Sequence, residues 1–559
     1  MREPVDDTRR LKANGESTLV NYLRMVSCQS AMMRRLVNPT LLLLLPFAFF
    51  LAFFHPSILA INNSGWLLHG SDHSDNGEGA LGSHAYWHDS MAGMSPKTTL
   101  LNAPEGVPVL YTDSNPLVTL AAKPFATLLP ADAQLVGPCI LLSLILQAFF
   151  AWLLLRRHAP GPLALWAGVA LLAYPPTLAN RFLHYNLMAH WTILAALCLF
   201  LDAKRGRQLR WWALLIAVTT LIHSYLLVMV GAIWASSIML RFMEGPGRTR
   251  LVTLGQVASV LGLVAGIAWW LGVGDPISTG TFGEFSMPID ALWNPGIDQF
   301  SNLLPPNAHG PEGWFEGFQY LGAGGLVLMA TAVIIQRYCP SRESEAAVLS
   351  RLRGLVPALI VLAILAILRL SLPAPILAML DPVRASGRLF WPVGYVLVLI
   401  ALLIVYRLSV QRAGLILIGI IALQVIDLAG MANIIRAQSN EADRHRLYGR
   451  TLDPRWDLLI RQSQSIAFIP GDVTGDLNLF QEIAWRAVKE GHPVANVYAA
   501  RTNLVTANRL DAEGAAFTRG DLVPGRLYIL LAGSPLPAAA VPRKLRLDGV
   551  TVIAPSRIR

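Results

Sequence analysis

Acidic and imidazole side chains gather in two stretches of this 559-residue chain, each far longer than a turn needs. The first, residues 59–133, carries Asp72, Asp75, Glu78, Asp89, Glu105, Asp113 and Asp132 together with His69, His73, His84 and His88. Long connections without a purpose are uncommon in compact proteins, and carboxylates and imidazoles are the groups that move protons and hold cations, so this loop is a candidate site. The second, residues 272–318, has six acids, no Lys or Arg, and the aromatics Phe282, Phe285, Trp293, Phe300, Trp314 and Phe315. Such aromatics suit stacking on sugar rings and equally suit the belt at a bilayer interface. Shorter segments add Asn180, Arg181, His184, Tyr185 and Asn186, with His190 a turn further on, and then His223 and Tyr225. Finally, DPVRASGRLFWP sets Arg384 and Arg388 four apart. On a helix that spacing makes one face able to clamp a phosphate; the alternative is a pair of anchors snorkelling to lipid headgroups.

The elements that must position these groups are apolar. Hydrophobic residues make up 54% of the chain and charged ones 14%, against about 25% charged in a soluble domain. That excludes a plain soluble globule and disorder, and four cysteines are too few for a disulfide scaffold. An excess of ten positive charges would suggest nucleic acid in a soluble protein. In a membrane protein it records positive cytoplasmic loops, so no nucleic-acid partner is expected. A helix needs about 20 residues to cross the hydrocarbon, and the chain reads as an α-helical polytopic membrane protein with about eleven transmembrane helices. The apolar runs are 39–54, 134–155, 162–178, 187–201, 211–240, 251–271, 320–335, 355–370, 389–405 and 413–431. Residues 211–240 count twice, as a tight hairpin of two short spans turning at His223-Ser224-Tyr225.

Lys and Arg number fifteen in the connections assigned inside and five in those assigned outside. The N-terminus is therefore expected in the cytoplasm, and the segment after Met431 in the periplasm of a bacterium whose inner (plasma) membrane holds the chain. Residues 1–38 read as a disordered cytoplasmic leader, with Met32 or Met33 as an alternative start; 39–433 form the transmembrane domain. Within loop 59–133, WLLHG, ALGSHAYWHDSM and PLVTLAAKPFATLLP read as amphipathic helices along the interface, holding Asp75 and Asp113 near the membrane surface. In TDSNP, Asp113 has the chemistry of a turn residue that bonds the backbone ahead of it. The spans are nearly free of the ionisable groups that ion-coupled transporters place near the midplane. Residues 434–559 alternate β-branched runs (SIAFIP, HPVANVYAA, RLYILLA, VTVIAP) with helical patterns. They read as a small α/β domain without GxGxxG or phosphate loop, serving as a substrate-guiding or partner-binding cap or as an inert structural unit.

Acids soon after the first span, about eleven spans, a further external loop and a C-terminal periplasmic domain together resemble the GT-C superfamily of integral-membrane glycosyltransferases. The blocks TDSNPL, NRFLHYNLMAHW, LIHSYLLVM, FEGFQYLG and ASGRLFWP, spread between about Ser64 and Trp391, are similar to an uncharacterised bacterial branch of it. The resemblance implies a GT-C-like fold and transfer of a hexosyl or pentosyl group. The donor would be a polyprenyl-phosphate-linked sugar and the acceptor a glycan, lipid or protein of the envelope, among membrane lipids on the periplasmic side. It implies a first-loop carboxylate near the reacting atoms, a position best matched by Asp75. The branch opens this loop with a Gly-Asp pair, whereas Ser74 precedes Asp75 here, which leaves Asp72 as a competitor. Asp75, with Glu78 three residues on, would take the acceptor proton or share a divalent metal such as Mg or Mn, and Asp113 is the second catalytic candidate. Arg384, Arg388, His184, Tyr185, Asn186, His190 and His223 are the expected substrate-binding residues. A lipid-linked saccharide flippase and a noncatalytic polysaccharide-assembly protein are the alternative readings.

Overall fold

The structure, a computed structural model, describes residues 40–68, 75–244, 246–274, 277–278, 280–307, 314–369, 373–499 and 501–556. The leader 1–38 and the competing Asp72 lie outside the described residues, as do His69 and His73. In chain order the helices used below are α1 (Thr40–Phe53), α2 (Asp75–His88), α3 (Val136–Leu155), α4 (Pro162–Ala173), α5 (Trp191–Leu201) and α6 (Leu209–Thr220). They continue as α7 (Ser224–Glu244), α8 (Gly247–Trp270), α9 (Gly322–Tyr338), α10 (Val356–Ile367), α11 (Trp391–Val405) and α12 (Val410–Asp427).

Among the described residues, seven helical segments are long and apolar enough to cross a membrane: α3, α7, α8, α12 and the segments that contain α9, α10 and α11. The chain is mostly helical, and its long apolar helices are consistent with a membrane protein. Four shorter apolar helices, Thr40–Phe53, Pro162–Ala173, Tyr185–Leu201 and Leu209–Thr220, stand where the remaining expected spans fall. At ~1.5 Å per residue, a helix of 12 residues reaches only ~18 Å of a ~30 Å core. The hairpin is not two short spans: α6 has 12 residues, but α7 runs for 21. The bundle packs α3 against α4 and α5, α7 against α5 and α6, and α9 against α11 and α12. Outward-facing Leu251, Leu254 and Trp269 on α8 are largely exposed, as a lipid-facing helix requires.

Loop 59–133 folds differently from the expectation of interfacial helices. Every residue of α2 from Asn76 to Trp87 is buried, so this helix belongs to the interior. Its composition explains the misreading, because the glycines of DNGEGALGSH carry no hydrophobic signal yet allow close packing on several sides. In the later segment, Phe125 and Leu128 on the 3-10 turn after Ala122 are exposed.

The C-terminal region holds α13 (Leu477–Lys489), α14 (Leu504–Arg519) and a four-stranded mixed sheet. Counting the short pair β1 (Lys97–Thr98) and β2 (Val107–Pro108) in the first loop, its strands are β3 (Ser465–Ile469), β4 (Arg526–Leu530), β5 (Lys544–Leu547) and β6 (Val550–Ile553), in the order β3-β4-β6-β5. β3 and β4 are parallel, with Ser465 opposite Arg526. Among the described residues of HPVANVYAA there is only a bridge, in which Val494 lies between Ile466 and Leu101. The Val494 N–H donates to the Leu100 carbonyl (2.9 Å) and the Ala103 N–H to the Val494 carbonyl (3.0 Å), so the first loop extends the edge of this sheet. Side chains reinforce the junction. The His84 ring stacks on Trp485 at 3.8 Å, Trp485 Nε1 donates to Asp132 (3.0 Å), Lys489 pairs with Asp132 (2.6 Å) and Arg509 pairs with Glu105 (2.6 Å).

Candidate functional site

Asp75 opens α2, and the helix start is pinned by its neighbour. Asn76 Nδ2 donates to the Phe182 carbonyl (2.8 Å), and Asn76 Oδ1 accepts the Tyr185 N–H (2.8 Å). One face of α2 then receives the turn 112–114 at very short range. A Cβ on Gly79 would sit 2.7 Å from the Asp113 carbonyl oxygen, and one on Gly82 would sit 2.0 Å from Thr112 Oγ1. Only glycine admits this approach. Asp113 itself adopts a left-handed conformation (φ 49°), and its carbonyl accepts from Asn186 Nδ2 at 2.6 Å. The backbone bond expected of Asp113 is made instead by Asn115, whose Oδ1 caps the next helix at the Val118 N–H (3.3 Å). The Asp113 carboxylate is thereby left to face α2.

The result is a cluster of side chains distant in sequence. Ligand atoms of Asp75, Glu78 and Asp113 lie within 4.8 Å of one another, and so do those of Asp113, His184 and His223. Glu78 and His184 are buried, whereas Asp75, Asp113 and His223 stay partly open. Burial, followed by the charge of Asp113, holds the Asp75 carboxyl well above the usual carboxylate range. Burial does the same for Asp113, against the opposing pull of Arg388, Arg501 and Arg384. Glu78 is likewise raised, by burial and then by both neighbouring acids. Burial, helped by nearby cations, keeps His184 and His223 below the ordinary imidazole range, hence neutral. His223 Nδ1 accepts the Tyr225 N–H (3.2 Å), which orients the ring at the α6–α7 turn.

The two arginines of DPVRASGRLFWP do not share a helical face. Ala385 leaves the helical region (ψ 67°) before the 3-10 turn Ser386–Phe390, so the four-residue spacing does not align them. Arg388 is buried and engages Glu316 through both Nε (2.7 Å) and Nη2; Arg181 pairs with the same carboxylate. Of the pair, Arg384 is the one whose guanidinium forms no side-chain hydrogen bond among the described residues, and its charge acts on Asp113 together with those of Arg388 and Arg501. Tyr185 is part of the scaffold, its hydroxyl accepting the Asn115 N–H (2.9 Å). His190 stands outside both acid and imidazole groups: its ring lies on Trp391 (4.1 Å) and its Nδ1 meets the Tyr395 hydroxyl (2.9 Å).

Sequence reasoning missed Glu316 as the partner of two arginines; its only signal was its place in FEGFQYLG. It also missed the C-terminal contribution. Arg501 Nη2 donates to the Asp381 carbonyl (2.7 Å), and the Tyr498 phenol is pushed up by burial and by Glu78, Asp75 and Asp113. The second loop's aromatics divide, since Phe282 and Phe300 are buried in the core while Trp293 and Phe315 are exposed.

A bundle of apolar helices with an acidic cluster at one end and an α/β domain packed over the first loop defines the class. The model of DUF6311, a domain of unknown function, matches residues 43–429, and that of the DUF6311 C-terminal domain matches 455–555. The chain belongs to the DUF6311 family. A comparison with curated proteins finds no match.

Proposed function

We propose that this protein is a GT-C-type glycosyltransferase of the bacterial inner membrane, with a cytoplasmic N-terminus and the acidic cluster facing the periplasm. It transfers a sugar from a polyprenyl-phosphate carrier to an envelope acceptor. One observation carries the reading: Asp75, Glu78 and Asp113 converge without a Lys or Arg salt bridge among the described residues, beside the uncommitted Arg384. Structural acids in a protein interior are normally paired; a trio whose one imidazole neighbour, His184 at 4.0 Å from Asp113, is itself held neutral, and whose proton affinity is raised, has the character of a reaction site.

In this mechanism the ionised carboxylate of Asp75 takes the proton of the acceptor hydroxyl as its oxygen attacks the anomeric carbon. The bond from that carbon to the phosphate oxygen breaks, and polyprenyl phosphate leaves with the electron pair. Arg384 holds the phosphate and offsets its growing charge. Neutral His184 and His223 supply further polar contacts, and the Arg181–Glu316–Arg388 ion group fixes the wall behind them. The residues also fit a divalent cation: the trio is an all-oxygen donor set, and Glu78 Oε1 is buried without a hydrogen-bond partner. Mg or Mn held by Asp75, Glu78 and Asp113 would supply Lewis-acid stabilisation of the phosphate.

The test is membrane-reconstituted protein given labelled polyprenyl-phosphate sugar and an envelope extract, with products resolved by mass. The Asp75→Asn variant should lose transfer while keeping its expression level. Full transfer by that variant, or donor moved across the membrane chemically unchanged by the native chain, would overturn the proposal.

A further inference from the structure

At the opposite end of the bundle, α3, α5 and α6 enclose a groove of about 920 Å³. Its walls are apolar and aromatic, with Phe150, Trp152, Trp191, Leu199 and Leu215 among them. Along α5 it runs from Trp191 to Leu201, ten helical steps or ~15 Å, which is half the ~30 Å hydrocarbon thickness. It therefore has the depth of a single leaflet. The groove opens into a smaller, half-open chamber of about 410 Å³ of contrary character, whose cations are exposed, sharing Arg156, Arg157, Asp202, Arg205 and Trp211 with it and adding Lys204 and Arg210.

Five cations face one acid there, and that acid is already engaged. Asp202 Oδ1 accepts the N–H groups of Lys204 (2.9 Å) and Arg205 (2.8 Å). Among the described residues, no carboxylate forms a salt bridge with any of the five cations. Arg156 lies over the Trp152 ring at 4.4 Å, which places a guanidinium at the junction of apolar wall and basic chamber. Cations that merely anchor a bundle to headgroups need no cavity beneath them; here a tryptophan-walled slot leads to them.

We infer that this groove and chamber form a binding site for one anionic glycerophospholipid, with an acyl chain along α5 and the phosphate among Arg156, Arg157 and Arg205. Charge complementarity selects the headgroup, and the one-leaflet depth selects a lipid of the bilayer over a carrier that must extend further. The site lies at the far end of α3 from the acidic cluster and is independent of the proposed transferase activity.

Native mass spectrometry of the delipidated full chain in detergent tests this, with phosphatidylglycerol and phosphatidylcholine of equal chain length as probes. The native chain should retain the first equivalent of phosphatidylglycerol at least about five-fold better, the gain expected for one engaged cation. The Arg156→Gln/Arg205→Gln pair should abolish that preference, Leu214→Trp should lower retention of both lipids by filling the groove, and Arg248→Gln on α8 should change neither. Equal retention by the native chain, or a preference untouched by the double variant, would overturn the inference. So would removal of the preference by millimolar inorganic phosphate with lipid retention unchanged, since the chamber would then be a site for free phosphate. Stronger retention of polyprenyl phosphate than of phosphatidylglycerol would overturn the identity of the occupant.

Discussion

Asp75 at the start of α2 and Asp113 on the turn packed against that helix lie within reach of each other, and their proximity makes two consequences run in opposite directions. Both carboxyls hold protons more tightly in the folded protein than in an unfolded chain. Their contribution to stability is therefore present at low pH and lost as pH rises from the ordinary carboxylate range toward neutrality. Transfer needs an ionised base, so activity should rise over the same interval. Melting curves of the detergent-solubilised protein should show a falling midpoint across that window, and Mg or Mn should restore it at the alkaline end; a midpoint that rises with pH would remove the charge cluster from the account. Asp75→Asn, which deletes one of the crowded charges at nearly constant volume, should slow transfer by about 10² to 10⁴ while raising the melting midpoint at neutral pH. The two arginines should separate cleanly. Arg388→Gln breaks a buried ion group and should cost about 3 kcal/mol of stability, whereas Arg384→Gln should leave the midpoint unchanged and raise the KM for the donor.

At the scale of elements, the site depends on glycines more than on any charged residue. Gly82→Ala places a methyl group where Thr112 and Ser114 hydroxyls already stand. Overpacking of this kind costs about 1–3 kcal/mol and should push Asp113 away from α2, so transfer falls together with stability. Gly262→Ala in α8, where nothing lies within 4 Å, should be neutral in both measurements. The same glycines explain what the sequence could and could not disclose. Asp75 and Glu78 were legible as a pair because helical spacing alone joins them. Their meeting with Asp113, His184 and His223 was not, because it requires α2 to be buried, and a glycine-rich stretch has no periodicity from which burial is read. The Arg384–Arg388 reading failed for a local reason, since the backbone departs from helix at Ala385. KLRL, the missed strand β5, is three-quarters exposed on the edge of its sheet and so lacks the apolar run that marks its neighbours. The apolar segments were the most legible feature, because a bilayer demands length and hydrophobicity and asks for little else.

For the whole molecule, orientation governs everything proposed about chemistry. A reporter fused after Arg559 should be active in the periplasm and one fused after Arg210 in the cytoplasm; the reverse result at Arg559 would place the acidic cluster in the wrong compartment. The pairing of Leu101 with Val494 across the edge of the C-terminal sheet has a consequence in time. About 390 residues separate the two partners, and at ~5–20 residues per second a ribosome needs about 20–80 s to travel between them. During that interval the first loop has been delivered but its sheet, and the α13 surface on which His84 stacks, do not yet exist. A chain still attached to the ribosome therefore carries its acids in an unfinished setting. On the proposed reading, competence would come in one late step, after the last apolar helix is made, and products truncated anywhere before β3 should be present in the membrane yet inert.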